Sequence, residues 1–203
     1  MLSITVILPY GGCVRTGPTF RAQFGLKDAA NFPQLRELEL NGYSMPLAEW
    51  DIWQKGLDWP KLTSLTLGRQ LNGYFLNSLQ NVVLNLRVLK ISAYAEEALR
   101  CLINVESVLR SFKTLEELVL DGFMVSVEAI ARHSKLMSLH MHKAENPREG
   151  ESRPTLSAAD VEYLSKICPY IESLQLDFNR DGEWVSALSH SRLVLSIICD
   201  KIC

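Results

Sequence analysis

Four side chains of this sequence could exchange protons or hold a metal ion: Asp121, His140, His142 and Asp177. His140 and His142 are two residues apart, so on a strand both point to the same side of a sheet. If the strands of the leucine pattern lie side by side, about 4.8 Å apart, Asp121 and Asp177 flank His142 in one row. The group has the chemistry to hold a metal ion or, because carboxylates beside a histidine favour its protonated form, to make a contact that changes with pH. The alternative is that all four are exposed polar residues that keep a sheet soluble.

Other segments that resemble catalytic or ligand-binding motifs do not meet the chemical requirements. Residues 11–17 are glycine-rich but lack the Lys-Ser or Lys-Thr ending of a phosphate-binding loop, so we interpret them as a turn. The sequence contains no Gly-x-Ser-x-Gly, His-Glu-x-x-His or dinucleotide-binding pattern. Trp50, Trp53 and Trp59 have the spacing of core positions rather than of a cofactor site. We therefore expect no catalytic residue, no cofactor and, for the histidine group, no metal site.

The five cysteines are spaced too irregularly to form a disulfide framework. We expect reduced thiols, mostly buried as small apolar groups, at Cys13, Cys101, Cys168, Cys199 and Cys203. Cys199 and Cys203 are poor zinc ligands because no second pair or nearby histidine completes a site.

Composition and charge exclude several classes of partner. The chain has 203 residues, of which 47% are hydrophobic and 22% charged, and its formal net charge is −2. No basic field exists that would attract nucleic acid or an anionic membrane. The longest apolar runs are far shorter than the roughly 20 residues of a membrane-spanning helix. No basic residue precedes the short apolar start, so we expect no secretory signal and a cytoplasmic or nuclear location.

A leucine pattern, L-x-x-L-x-L or a close apolar variant, recurs six times along the chain. The copies begin at Leu35, Leu62, Leu86, Leu115, Leu136 and Ile171. Successive starts are 27, 24, 29, 21 and 35 residues apart. The longest gap contains residues 146–154, a polar, proline-bounded stretch that we interpret as a surface insertion.

The spacing within and between the copies predicts alternating strands and helices. The last two apolar positions of each copy are two apart, so one side of each strand is core and the other is free. Between the copies, apolar residues return at helical spacing, as in Ala98, Leu102, Val105 and Leu109. Ser157 and Asp160 form a predicted helix start, and Pro169 a predicted stop. Such units imply an α/β fold with a parallel sheet, in which neighbouring units bury one another.

The six copies resemble leucine-rich repeats over residues 32–176. The short phrases that lead into the strands, such as Phe32-Pro33-Gln34-Leu35 and Trp59-Pro60-Lys61-Leu62, resemble the repeat regions of fungal F-box proteins. The resemblance implies an open right-handed solenoid, or horseshoe, with a concave parallel sheet, convex helices and irregular repeats. It divides the chain into residues 1–31, an N-terminal strand and turn that form a cap or truncated repeat, and residues 32–203, a solenoid of six to seven repeats.

The sequence departs from the family at two places. Family repeats often carry Asn or Cys eight positions after the first leucine. This chain has Tyr43, Gln70, Tyr94, Phe123 and Ala144 at those positions, and only Asn179 matches. Residues 1–31 show no helical pattern adequate for an F-box, and residues 193–199 have the pattern of one more apolar strand. We therefore expect a fragment of a longer F-box protein or a divergent relative without the adaptor module.

Alternate positions of the repeat define a candidate binding surface on the predicted concave face. From it we select Glu37, Glu39, Lys90, Glu117, Asp121, His140, His142, Gln175 and Asp177. Five of these carry carboxylates and one is a lysine, so the surface predicts a protein or peptide partner with basic side chains. The alternative is a solvated sheet surface without a partner.

Three classes of function remain, of which an interaction module is favoured. By the family resemblance, the repeats recognise the substrate of an F-box-type ubiquitin ligase, with a Skp-type adaptor as partner only if an F-box exists outside this chain. The alternative is a truncated or stand-alone repeat scaffold unrelated to ubiquitin signalling. An enzyme is the least favoured class, because open solenoids supply few enclosed pockets.

Overall fold

The computed structural model describes residues 2–7, 34–43, 45, 47–69, 71–143, 156–177 and 194–195. Its strands are β1 Leu2–Ile7, β2 Leu35–Asn41, β3 Ser64–Gly68, β4 Val88–Ser92, β5 Glu117–Asp121, β6 Ser138–His142, β7 Ser173–Leu176 and β8 Val194–Leu195. Its helices are α1 Leu47–Gly56, α2 Gly73–Leu79, α3 Ala95–Ser111, α4 Val127–Ile130 and α5 Ala158–Ile167, with a short 3-10 helix at Trp59–Lys61.

The strands form one parallel sheet in which each strand pairs with the next along the chain. The six leucine-patterned segments are β2 to β7, as predicted. Their middle leucines stand opposite one another across the sheet. This row consists of Leu38, Leu65, Leu89, Leu118, Leu139 and Leu174. The prediction of an α/β fold with a parallel sheet is confirmed.

Backbone hydrogen bonds continue from strand to strand beyond both ends of the ladder. After the strands, the amides of Gly42 and Gly122 donate to the carbonyls of Gly68 and His142, each at 2.6 Å. Before the strands, the amides of Thr63 and Arg87 donate to the carbonyls of Arg36 and Thr63, each at 2.8 Å. The turns on both sides of the sheet are therefore tied to one another by main-chain groups.

The core lies between the sheet and the helices, and its N-terminal part is aromatic. Trp50, Trp53 and Trp59 are all buried, which confirms their prediction as core residues. Ring centroids are 5.2 Å apart for Trp50 and Trp59 and 5.5 Å apart for Trp50 and Phe75. The indole N–H of Trp59 donates to the Trp53 carbonyl at 3.2 Å, so this ring is held by a polar bond as well as by packing.

The helix signals in the sequence are confirmed where the helices are long. Ser157 and Asp160 form a capping box at the start of α5, with Asp160 N–H donating to Ser157 Oγ at 3.2 Å and Ser157 N–H to Asp160 Oδ2 at 2.9 Å. The helix ends before Pro169, as predicted. The alternating pattern predicts a helix after each strand, but it does not mark the positions of α2 and α4, because seven and four residues are too few to show a helical period.

Two of the predicted free thiols lie in the described residues. Cys101 and Cys168 are buried and unpaired with other cysteines, as expected. Burial raises the pKa of the Cys168 thiol to about 11, so this group stays protonated at neutral pH. The predictions for Cys13, Cys199 and Cys203, for the turn at 11–17 and for the insertion at 146–154 lie outside the described residues. Of the predicted strand at 193–199, the structure describes β8 alone.

His133 is a fully buried histidine outside the leucine pattern. Its ring lies against Phe112, with centroids 5.3 Å apart, and neither ring nitrogen has a hydrogen-bond partner in the described part of the chain. Burial lowers the pKa of His133 to about 4. The Leu109 carbonyl opposes this shift, although it lies outside hydrogen-bond geometry. The charge of Arg132 adds to the shift. The ring is therefore neutral at physiological pH.

We expect acid to destabilise the fold through His133. Between its ordinary pKa near 6.5 and its folded value of about 4, the unfolded chain takes up a proton that the folded chain excludes. The free energy of unfolding should therefore fall by about 2 kcal/mol between pH 7 and pH 5. Urea titrations of the native chain and of His133→Leu at both pH values measure the effect. An equal loss in both proteins would show that another group is responsible.

Candidate functional site

The side of the sheet opposite the core carries three rows of side chains, which we call the polar face. The first row is Glu37, Ser64, Val88, Glu117, Ser138 and Ser173; the second is Glu39, Thr66, Lys90, Val119, His140 and Gln175; the third is Asn41, Gly68, Ser92, Asp121, His142 and Asp177. Strand register places the members of each row opposite one another, except for Asp177, which follows β7 and is bonded to His142. All are half-buried except Gly68, which is buried, and Asp121, which is exposed. The nine residues selected from the sequence therefore share one surface.

The lysine of the polar face is already paired with a carboxylate of the same face. Lys90 Nζ on β4 lies 2.8 Å from Glu117 Oε1 on the neighbouring strand β5. Both side chains remain partly in water, at 42% and 35% exposure, so the pair contributes at most about 1 kcal/mol to stability. Its main effect is that the positive charge of Lys90 is balanced by Glu117 within the polar face.

Each of the two histidines of β6 bonds to a side chain at the neighbouring strand β7 or just after it. His142 Nδ1 lies 2.9 Å from Asp177 Oδ1, and the backbone N–H of Lys143 donates to Asp177 Oδ2 at 2.8 Å. His140 Nδ1 bonds to Gln175 Oε1. Asp177 follows the last residue of β7, so its place in the third row comes from these side-chain bonds rather than from the strand ladder.

The predicted grouping of Asp121, His142 and Asp177 is correct in position, since Asp121 stands opposite His142 on β5. Within the described ranges, however, no three His, Cys, Asp or Glu side chains come together in a way that could hold a metal ion. The histidine rings bond instead to Gln175 on β7 and to Asp177 just after it.

The negative charge of the polar face has two parts. Glu37 and Glu39 project from β2, and Asp121 projects from β5, three strands away, or about 14 Å. Asp121 is the most exposed of these carboxylates. Five carboxylates thus share a surface with one ammonium group, and their summed potential attracts cations.

An exposed aromatic group borders the third row, and sequence reasoning did not identify it. The Arg69 guanidinium lies over the Tyr94 ring, 5.1 Å from its centroid, and Tyr94 is 47% exposed. Both residues lie just after strands β3 and β4, outside the leucine frame. Their only signal is residue type, since Arg and Tyr are enriched among residues that dominate protein interfaces.

No protein-family model matches this sequence, and no curated protein is similar to it at a significant level. None of the helices in the described ranges combines the length and apolar character needed to cross a membrane.

Proposed function

We propose that this chain is a protein-interaction module of the leucine-rich-repeat type, and that the polar face binds a protein or peptide with basic side chains. One observation carries the proposal. The polar face presents five carboxylates, while the Lys90 ammonium is held 2.8 Å from Glu117. A basic partner gains attraction on approach and meets little opposing charge.

The repeat assignment is supported by periodicity at two levels. Each strand of the leucine pattern joins the next in chain order, and the turns on both sides are tied to their neighbours by backbone hydrogen bonds. Units that bury one another in this way stack as a solenoid. We propose an open right-handed horseshoe whose concave side is the polar face.

The broader role that we propose is substrate recognition in an F-box-type ubiquitin ligase of the cytoplasm or nucleus, without catalysis by this chain. It rests on the leucine pattern and on the Pro-containing phrases before the strands. A Skp-type adaptor is a partner only if an F-box exists elsewhere in the same protein. Affinity capture of the full-length protein should recover such an adaptor. Capture of partners without any ligase component would favour the stand-alone scaffold.

The charge requirement is testable with synthetic peptides. We expect an extended Lys-Ser peptide to bind and a Glu-Ser peptide of equal length not to bind, because only the first complements the polar face. The double variant Glu37→Lys/Asp121→Lys should bind the lysine peptide at least about tenfold more weakly, which corresponds to about 1.4 kcal/mol. Fluorescence anisotropy at low ionic strength measures both affinities.

A matched control separates local from global charge. Glu96 on α3 and Glu128 on α4 are exposed, and Glu96→Lys/Glu128→Lys changes the net charge by the same amount away from the polar face. This variant should keep affinity within about threefold of the native chain. Equal losses in the two double variants would show that net charge alone drives binding and would remove the polar face as the site.

A further inference from the structure

The hydrogen bonds of the two β6 histidines fix which ring nitrogen carries the proton. Asp177 Oδ1 is a carboxylate oxygen and Gln175 Oε1 an amide oxygen, so both can only accept. Each histidine must therefore donate through Nδ1. In the neutral ring the other nitrogen, Nε2, then keeps its lone pair.

The bonding partners also hold the rings in place. Asp177 is fixed by a second bond, since its Oδ2 accepts from the backbone N–H of Lys143 at 2.8 Å. His140 and His142 are two residues apart on β6, so their Nε2 atoms belong to the same face of the sheet. The His142 side chain is 33% exposed, which leaves part of the ring open to a partner.

Charged groups around these rings come from three directions. Asp121 on β5 and Asp177 after β7 flank His142, and Lys143 follows it in the chain. His140 has Val119 on one side and Gln175 on the other, both without charge. The nearest charged pair beyond Val119 is Lys90 with Glu117. Protonation of His142 thus adds a positive charge opposite the exposed carboxylate of Asp121, and protonation of His140 adds one between two uncharged neighbours.

We propose that His140 and His142 accept hydrogen bonds from the basic partner through Nε2, and that acidification releases the partner by converting both acceptors into charged donors. The inference rests on the proposed function and adds that partner binding weakens as the pH falls. Neutral rings and carboxylates both accept, so the polar face near β6 selects a partner rich in N–H donors, as Lys and Arg side chains are. Protonated rings repel the same groups.

The tautomer is measured first and needs no partner. In a long-range proton–nitrogen NMR spectrum of the free protein at about pH 7.5, where imidazole is largely neutral, both histidines should be protonated at Nδ1. Assignment uses His140→Gln and His142→Gln. A proton on Nε2 in either ring would remove the acceptor of that ring and would overturn the inference.

Binding of the lysine peptide is then compared at about pH 7.5 and pH 5.5, a range over which histidine changes charge. The native chain should bind about tenfold more weakly at the lower pH, and His140→Gln/His142→Gln should lose less than about threefold. His133 and His190 are present in both proteins, so their titration cancels in the comparison. Circular dichroism at each pH verifies that both proteins are folded.

The outcomes distinguish the inference from the function on which it rests. If the native chain binds equally at the two pH values, or if His140→Gln/His142→Gln loses as much affinity as the native chain at the lower pH, the histidine role is overturned. The polar face then remains as the docking surface. Absence of binding at the higher pH overturns the proposed function and the inference with it. Retained tight binding of His140→Gln/His142→Gln at the lower pH supports both the proposed function and the histidine role.

Discussion

Replacing Leu118 with alanine is expected to lower the free energy of unfolding by about 3–5 kcal/mol. Leu118 has no exposed surface and lies on β5, between Leu89 and Leu139 of the adjacent strands, both of which are also buried. Those strands are held by the sheet ladder and cannot close over the space that the substitution leaves. Urea denaturation followed by circular dichroism measures the loss.

Val119→Ala is the matched control, because it removes methyl groups from the next residue of the same strand. Val119 is half-buried on the polar face. We expect a loss below about 1 kcal/mol, since no enclosed cavity forms. If both substitutions were equally costly, the two sides of β5 would be equally packed, and the polar face could not be an open docking surface.

The strands and their register could be predicted from the sequence because one signal fixes both. Apolar positions two residues apart decide which side of each strand is buried, and the same phrase opens every copy. Once Leu118 is set opposite Leu89 and Leu139, the polar neighbours follow without further information. The leucine frame alone is therefore sufficient to place Asp121 opposite His142. Asp177 follows the last residue of β7 and joins them through its bond to His142.

The pairings within the polar face could not be predicted in the same way. Lys90 bonds diagonally to Glu117 rather than to its register partner on either side, and the choice depends on side-chain rotamers. The backbone conformation of the turns also differs from one strand-and-helix unit to the next. Arg69 has a positive φ of 46° after β3, and this turn places its side chain over Tyr94. Non-glycine residues rarely adopt that conformation, so nothing in the residue types predicts it.

Gly122→Ala is expected to lower the free energy of unfolding by about 3 kcal/mol. Gly122 has a φ of +99°, which side chains other than glycine rarely adopt. An added Cβ would also stand 2.3 Å from the backbone carbonyl oxygen of Ala93, and a backbone atom cannot move aside as a side chain can. Thermal or urea unfolding measures the effect.

The strain would spread because Gly122 connects three strands. Its amide donates to the His142 carbonyl at 2.6 Å, and the Ala93 amide donates to the Asp121 carbonyl at 2.9 Å. Moving residue 122 away from Ala93 would stretch both bonds, which join the turns that follow β4, β5 and β6. The third row of the polar face lies at this end of the sheet, so we expect affinity for the lysine peptide to fall together with stability.

Gly73→Ala provides the comparison for the Gly122 substitution. A Cβ at residue 73 would meet Asn104 Nδ2 at 2.5 Å, but this atom is the end of a flexible side chain. The rotation would cost the hydrogen bond from Asn104 to the Gly73 carbonyl, which alanine's better helix propensity at the start of α2 largely offsets. We expect a change within about 1 kcal/mol. A loss as large as that of Gly122→Ala would mean that close packing of α2 on α3, rather than the turn between strands, limits the stability of this chain.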